Sequence, residues 1–128
     1  IIYYMGPAPA KPGQPIGSAG PTTSYRMDPY TPRMLEAGLK GMIGKGTLAP
    51  SHFDHLKSHK AVYTAARHFP EALIAKPIKK AQVIAYEDLG TEALRRLNVE
   101  DLPALAARRA PCGAAYEEGK AKYGRKRG

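Results

Sequence analysis

The residues that could do chemistry are concentrated in Gly17-Ser18-Ala19-Gly20-Pro21-Thr22-Thr23-Ser24-Tyr25-Arg26-Met27-Asp28. Glycines let a backbone approach a ligand closely. A run of hydroxyls follows, then Arg26, then a helix start with Asp28 as the expected N-cap and Pro29 at the first helical position. Free N–H groups at such a start favour anions, and the planar guanidinium matches a carboxylate in two parallel hydrogen bonds. The chemistry expected here is recognition of a small carboxylic acid. Taken alone, the same residues also describe a Gly/Pro-rich surface turn with a solvated arginine, and composition by itself favours that plainer reading. The segment is not a Walker A loop, because no Gly-Lys-Ser/Thr closes it, and it lacks the spacing of a dinucleotide fingerprint.

Other groupings carry less. His52, Asp54, His55 and His59 lie close together, and the three histidines could share a helix face. With no cysteine or further ligand nearby, a polar surface helix explains them and no metal site is assigned. Cys112 is the only cysteine; one thiolate cannot hold an iron–sulfur cluster and cannot form an internal disulfide. Glu87 and Asp88 are adjacent, so on a strand they would point to opposite faces and not work as an acid/base pair. Lys76, Lys79 and Lys80 form one basic group, and Lys120, Lys122, Arg125, Lys126 and Arg127 another, with Tyr116 and Tyr123 interleaved in the second. A basic tail of this kind is read as solvated or facing an acidic partner, with no specific nucleic-acid function.

The elements that must position these residues fit one domain with a modest core. The chain has 128 residues, 43% of them hydrophobic, and a net charge of +9. Residues 1–94 hold eleven Lys/Arg against seven Asp/Glu and residues 95–128 nine against four, so the last quarter carries more than half the excess. No apolar run approaches the roughly 18–20 residues a bilayer requires, so no membrane partner is expected. A single cysteine fits a reducing compartment, and a cytoplasmic location is expected. Ile1 to Met5 is β-branched and aromatic; it reads as a buried strand rather than a signal peptide, and the chain reads as a fragment or a processed product. The prolines at 7, 9, 12, 15 and 21 predict that Gly6 to Thr23 is an ordered loop and no regular element. A helix carrying Met34, Leu35 and Leu39 should end at Gly38 or Gly41. Gly41 to Gly44 reads as a short buried strand or turn, and Ser51 as the cap of a helix through His59. Ala61 to Ala65 and Gln82 to Tyr86 read as strands, Glu71 to Ile78 as a helix interrupted by Pro77, and Thr91 to Leu97 as a short helix. Strands alternating with helices predict an α/β fold.

The same segments carry a resemblance. Ile1-Ile2-Tyr3-Tyr4-Met5-Gly6-Pro7-Ala8-Pro9-Ala10-Lys11-Pro12-Gly13, Gly17 to Thr23 and Arg26-Met27-Asp28 resemble the β, or C-terminal, part of class I fumarases and L-tartrate dehydratases. So do Gly41-Met42-Ile43-Gly44-Lys45-Gly46, His59-Lys60-Ala61-Val62-Tyr63 and Ala85-Tyr86-Glu87-Asp88-Leu89-Gly90-Thr91-Glu92-Ala93. The resemblance covers about residues 1–103. It implies a three-layered, swivelling β/β/α domain over a [4Fe–4S] cluster that is ligated by the α part and not by this chain. It implies an iron–sulfur hydro-lyase that interconverts fumarate and malate, active only with an α part. L-tartrate dehydration, or a remnant that only binds an α partner, is the alternative. Thr22 matches the threonine that acts as base, helped by an aspartate of the α part, because a threonine is a poor base unaided. Arg26 matches the arginine that grips a substrate carboxylate, and Lys45 the lysine that adds a second positive charge. The expected partners are the α subunit or N-terminal domain and a small dicarboxylate, in a hetero-oligomer or dimer.

Two departures from that family bear on activity more than on fold. After Tyr63 the family has a Gly-Gly-Ala-Ala stretch, where this chain reads Arg67-His68-Phe69-Pro70-Glu71. After Leu102-Pro103 the family has an apolar final strand; here Ala104 to Cys112 is rich in alanine and arginine. Residues 104–128 are therefore read as a diverged basic tail, poorly ordered beyond about Ala110.

Overall fold

The computed structural model describes residues 1–46, 49–65, 71–103, 105–109 and 122–124. Strands β1 (Ile2–Tyr3), β4 (Gly41–Gly44), β5 (Val62–Ala65) and β8 (Leu105–Arg109) form a sheet in the order β1-β4-β5-β8. The first three are mutually parallel and β8 is antiparallel to β5. Strand β8 falls inside the stretch assigned above to a tail, so the sheet continues past residue 103.

The period of two along a strand sorts side chains onto two faces. Met42 and Tyr63, both 0% exposed, face one side with Tyr4 and Ala65. That face is covered by α1 (Thr31–Glu36) and α2 (Phe53–Ser58), which contribute Leu35 and Leu56, with Met34 and Leu39 packed at the margin. Ile43 faces the other side. There the second core holds Ile16 and Ala19, Ile74 of α3 (Glu71–Ala75) and Ile78, with Ala81 and Leu97 packed against it. Helices of six or fewer residues are not stable alone in water. Each is held by its buried side chain, worth about 1.5–3 kcal/mol for a Leu or Ile.

Helix α1 is shorter than its surroundings suggested and starts later. Asp28 is not its cap. A 3₁₀ segment, Ser24–Tyr30, precedes α1, and Tyr30 is the N-cap, with Pro32 in the first turn. Gly38 does end it: Gly38 N–H reaches Leu35 O at 3.0 Å and Leu39 N–H reaches Met34 O at 2.9 Å, the paired bonds of a Schellman turn. Helix α2 ends in the same pair of bonds, Lys60 N–H to Lys57 O at 3.2 Å and Ala61 N–H to Leu56 O at 2.8 Å. Its N-cap is His52 and not Ser51.

Two further expectations are corrected. The ends of the proline-rich segment do form regular structure: β2 (Met5–Pro7) pairs antiparallel with β3 (Ala19–Pro21). Pro7 and Pro21 each sit at a strand end, where a missing N–H interrupts the ladder least. The predicted helix over Thr91–Leu97 is a 3₁₀ segment, Glu87–Glu92, followed by strand β7 (Leu94–Val99). Pairing with β6 (Ile78–Ala85) overrides the helix-forming composition there. Glu87 and Asp88 accordingly lie on the 3₁₀ segment and not on a strand. The departures at 67–70, Cys112 and the basic residues at 120 and 125–127 lie outside the described residues. No described helix is long and apolar enough to cross a membrane.

Candidate functional site

The parallel strands β1, β4 and β5 end at the same side of the sheet, the side on which ligands bind in open α/β sheets. Tyr4 follows β1, Lys45 follows β4, and Thr22 follows β3. Tyr4 N–H donates to Ile43 O at 2.8 Å, which carries the chain from β1 across to β4. Thr22 N–H then donates to Tyr4 O at 2.8 Å, while Thr22 O accepts the Lys45 N–H at 3.1 Å. Ser24 N–H returns to Lys45 O at 3.1 Å, and Thr23 bridges Lys45 in parallel register. The backbone of Thr22 is thus pinned between two strand ends, with its side chain left exposed.

Two of the three residues singled out from the sequence are therefore joined directly, Thr22 to Lys45, through one backbone hydrogen bond. Arg26 lies two residues beyond Ser24, on the 3₁₀ segment that Ser24 begins. Both Arg26 and Lys45 are exposed, and among the described residues neither side chain is held by a hydrogen bond or an ion pair. Asp28, the nearest acid in sequence, is engaged elsewhere: its Oδ2 accepts the Ala49 N–H at 3.1 Å. Two uncompensated exposed cations, one of them bonded through its backbone to Thr22, can attract an anion.

Beneath this exposed layer is a buried polar one that the sequence did not reveal. Ser24 is 1% exposed and Tyr63 0% exposed. Ser24 Oγ lies 2.9 Å from Tyr63 Oη and accepts the Lys45 N–H at 3.1 Å; Tyr63 Oη donates to Gly46 O at 3.0 Å. Gly44 makes this approach possible. A Cβ there would overlap Ser24 Oγ and press on the Tyr4 ring at 3.3 Å. Gly17 has a similar reason: its close neighbours are the carbonyls of Ala8 and Pro9, so it serves the chain's own packing and not a ligand. Tyr4 is also buried, and its hydroxyl has no partner among the described residues. Its pKa is pushed up to about 12, first by burial and then by Tyr63 and Asp28 nearby. The available sequence signal was the alternation Ala61, Tyr63, Ala65, which places Tyr63 on the inward face. Nothing in the sequence linked it to Ser24, 39 positions away.

A family described as Fumarase C-terminus matches residues 1–116. The chain belongs to that family. The Fumarase C-terminus match takes in every described strand, β8 included. Among curated members, "Fumarate hydratase class I, aerobic" of Salmonella typhimurium is 38% identical over 106 residues, covering 81% of this chain and 18% of the relative. "Fumarate hydratase 2" of Leishmania major is also 38% identical, over 81% of this chain and 19% of the relative. "Putative L(+)-tartrate dehydratase subunit beta" of Methanocaldococcus jannaschii is 29% identical over 92% of this chain and 64% of the relative. The chain thus spans about a fifth of the length of these fumarate hydratases.

The family resemblance implies an iron–sulfur cluster, and the described residues do not fit one as ligands. No three His, Cys, Asp or Glu side chains converge among them. His52 and His55 approach edge to face, with ring centroids 6.2 Å apart, and Asp54 and His59 do not complete a set with them.

Proposed function

We propose that this chain is the β, or C-terminal, part of a class I hydro-lyase that interconverts fumarate and malate, and that Thr22, Arg26 and Lys45 are its contribution to the active site. The observation that carries this reading is the Thr22 O to Lys45 N–H bond, which joins the backbones of two residues whose side chains are both exposed. The family and the names of its fumarate hydratase members support the reaction. Removing a proton from the carbon next to a carboxylate builds negative charge on that carboxylate. Lys45 and Arg26 would stabilise that charge more in the transition state than in the ground state. Thr22 would take the carbon-bound proton, with an acid of the α part as relay. The cluster would be held by the α part. The chain would work as a swivelling β/β/α layered domain, joined to an α subunit or N-terminal domain in a reducing compartment such as the cytoplasm. The coverage of the Methanocaldococcus relative keeps L-tartrate as the second substrate to test.

The test is steady-state kinetics of the cluster-loaded assembly with the α part. Thr22→Val keeps the branch at Cβ and removes the hydroxyl. General-base contributions are typically about 10²–10⁴-fold, so kcat should fall at least a hundredfold with KM little changed, while Thr23→Val costs little. Equal small effects at the two positions would remove Thr22 as base. An assembly inactive with both fumarate and tartrate would favour a remnant that only binds its partner.

A further inference from the structure

We infer that Ser24 and Tyr63 are positioning residues that aim Lys45 at the substrate carboxylate; this rests on the reading of Lys45 given above. Tyr63 has one hydroxyl proton, and it is donated to Gly46 O at 3.0 Å. Ser24 must therefore be the donor across the 2.9 Å Ser24 Oγ–Tyr63 Oη contact. Ser24 Oγ in turn accepts the Lys45 N–H at 3.1 Å. The result is a directed chain of three bonds: Lys45 N–H to Ser24, Ser24 to Tyr63, Tyr63 to Gly46 O. It begins and ends on consecutive residues of the turn that leaves β4, and it passes through β5. The turn cannot shift without breaking a bond inside the core, where unpaired polar groups are costly.

The arrangement is specific to the turn. Ser24 and Tyr63 are both sealed from solvent, so neither touches a substrate and their effect must pass through the residues they hold. Lys45 shares its N–H between Ser24 Oγ and Thr22 O, both at 3.1 Å. The backbone of Lys45 is thereby held from two sides. A lysine on a flexible stem contributes charge only where its backbone is fixed, and a misplacement of about 1 Å can cost on the order of a hundredfold in rate. The Tyr63 ring also fills the core beside Met42 and Leu56, so Tyr63→Phe removes the bond and leaves the packing.

The experiment compares Tyr63→Phe and Ser24→Ala in the wild-type and Lys45→Ala backgrounds, in the cluster-loaded assembly with the α part. In the wild-type background each variant should lower kcat/KM about tenfold or more. In the Lys45→Ala background the further loss should be less than about threefold, because the residue acted upon is gone. Equal losses in both backgrounds would show a general structural role and overturn the inference. A crippled Lys45→Ala enzyme beside an unaffected Tyr63→Phe enzyme would overturn the inference alone. An unaffected Lys45→Ala enzyme would overturn the reading of the site and this inference with it. Amide exchange on the 128-residue chain gives a readout independent of turnover. Tyr63→Phe should speed exchange at Lys45 about tenfold relative to Met42, and an unchanged ratio would overturn the inference.

Discussion

The turn that presents Lys45 and the ribbon formed by β6 and β7 are held in opposite ways. At the turn, a few buried hydroxyls fix the backbone from below, and the side chains above are exposed and unpaired among the described residues. Along β6–β7 the backbone ladder does the holding, and the exposed side chains include Ile84 at 55% and Leu94 at 54%. The ribbon's loop, Tyr86 to Ala93, is gathered by one long side chain. The Arg95 guanidinium donates to Thr91 O at 2.8 Å, Ala93 O at 3.1 Å and Gly90 O. At the start of that loop Tyr86 adopts φ 56°, a left-handed conformation uncommon for a non-glycine residue, and its carbonyl accepts the Leu89 N–H at 3.0 Å. The difference implies that single atoms matter at the turn, whereas the ribbon depends on one surface residue and its ladder.

The comparison breaks first at Gly44. Gly44→Ala should destabilise the chain by about 1–3 kcal/mol, because the new methyl overlaps Ser24 Oγ and the strand cannot retreat from the core. Urea unfolding would show the shift, and a midpoint like that of the wild type would mean the turn is looser than described. A smaller and local effect is expected at Arg95. Arg95→Gln should cost about 1 kcal/mol, since the guanidinium is only half-buried. Hydrogen exchange should rise over residues 86–93 and stay unchanged at Thr22 and Lys45; a spread to those positions would join the two regions energetically.

The smallest effect is at Tyr4. Its hydroxyl is buried without a described partner, so Tyr4→Phe should leave stability at neutral pH within about 0.5 kcal/mol or raise it slightly. The sign with pH follows from the raised pKa. Folding favours the neutral phenol, so its contribution is complete below the unfolded value of 10.0 and is lost as pH rises through about 12. The fall in stability between those limits should be shallower in Tyr4→Phe than in the wild type. Identical slopes would show that Tyr4 is not the group titrating.

How much of this was legible in the sequence depended on how local each cause is. Gly41–Gly44 and Ala61–Ala65 could be read because an apolar run that short, bounded by turns, has few other uses. Gly38 could be read as a helix end for the same local reason. Thr91–Leu97 was misread because its residues are good helix formers and the strand opposite, β6, supplies the stronger preference. The proline-rich segment was misread because prolines exclude strand interiors but not strand ends. For the candidate site, Arg26 was legible from its residue type after a hydroxyl-rich loop, Thr22 and Lys45 came from resemblance, and Ser24 and Tyr63 are joined only by folding. Spacing cannot signal a contact between residues on different elements.

Strand β8 also has a consequence in time. It pairs with β5, whose last residue, Ala65, precedes Leu105 by about 40 positions. During synthesis at roughly 5–20 residues per second, β5 waits some seconds with one edge bare. Parallel partners on its other side cannot cover that edge. A nascent chain in that interval carries an open template for pairing with another strand, and the arrival of Leu105–Arg109 is the step that removes it.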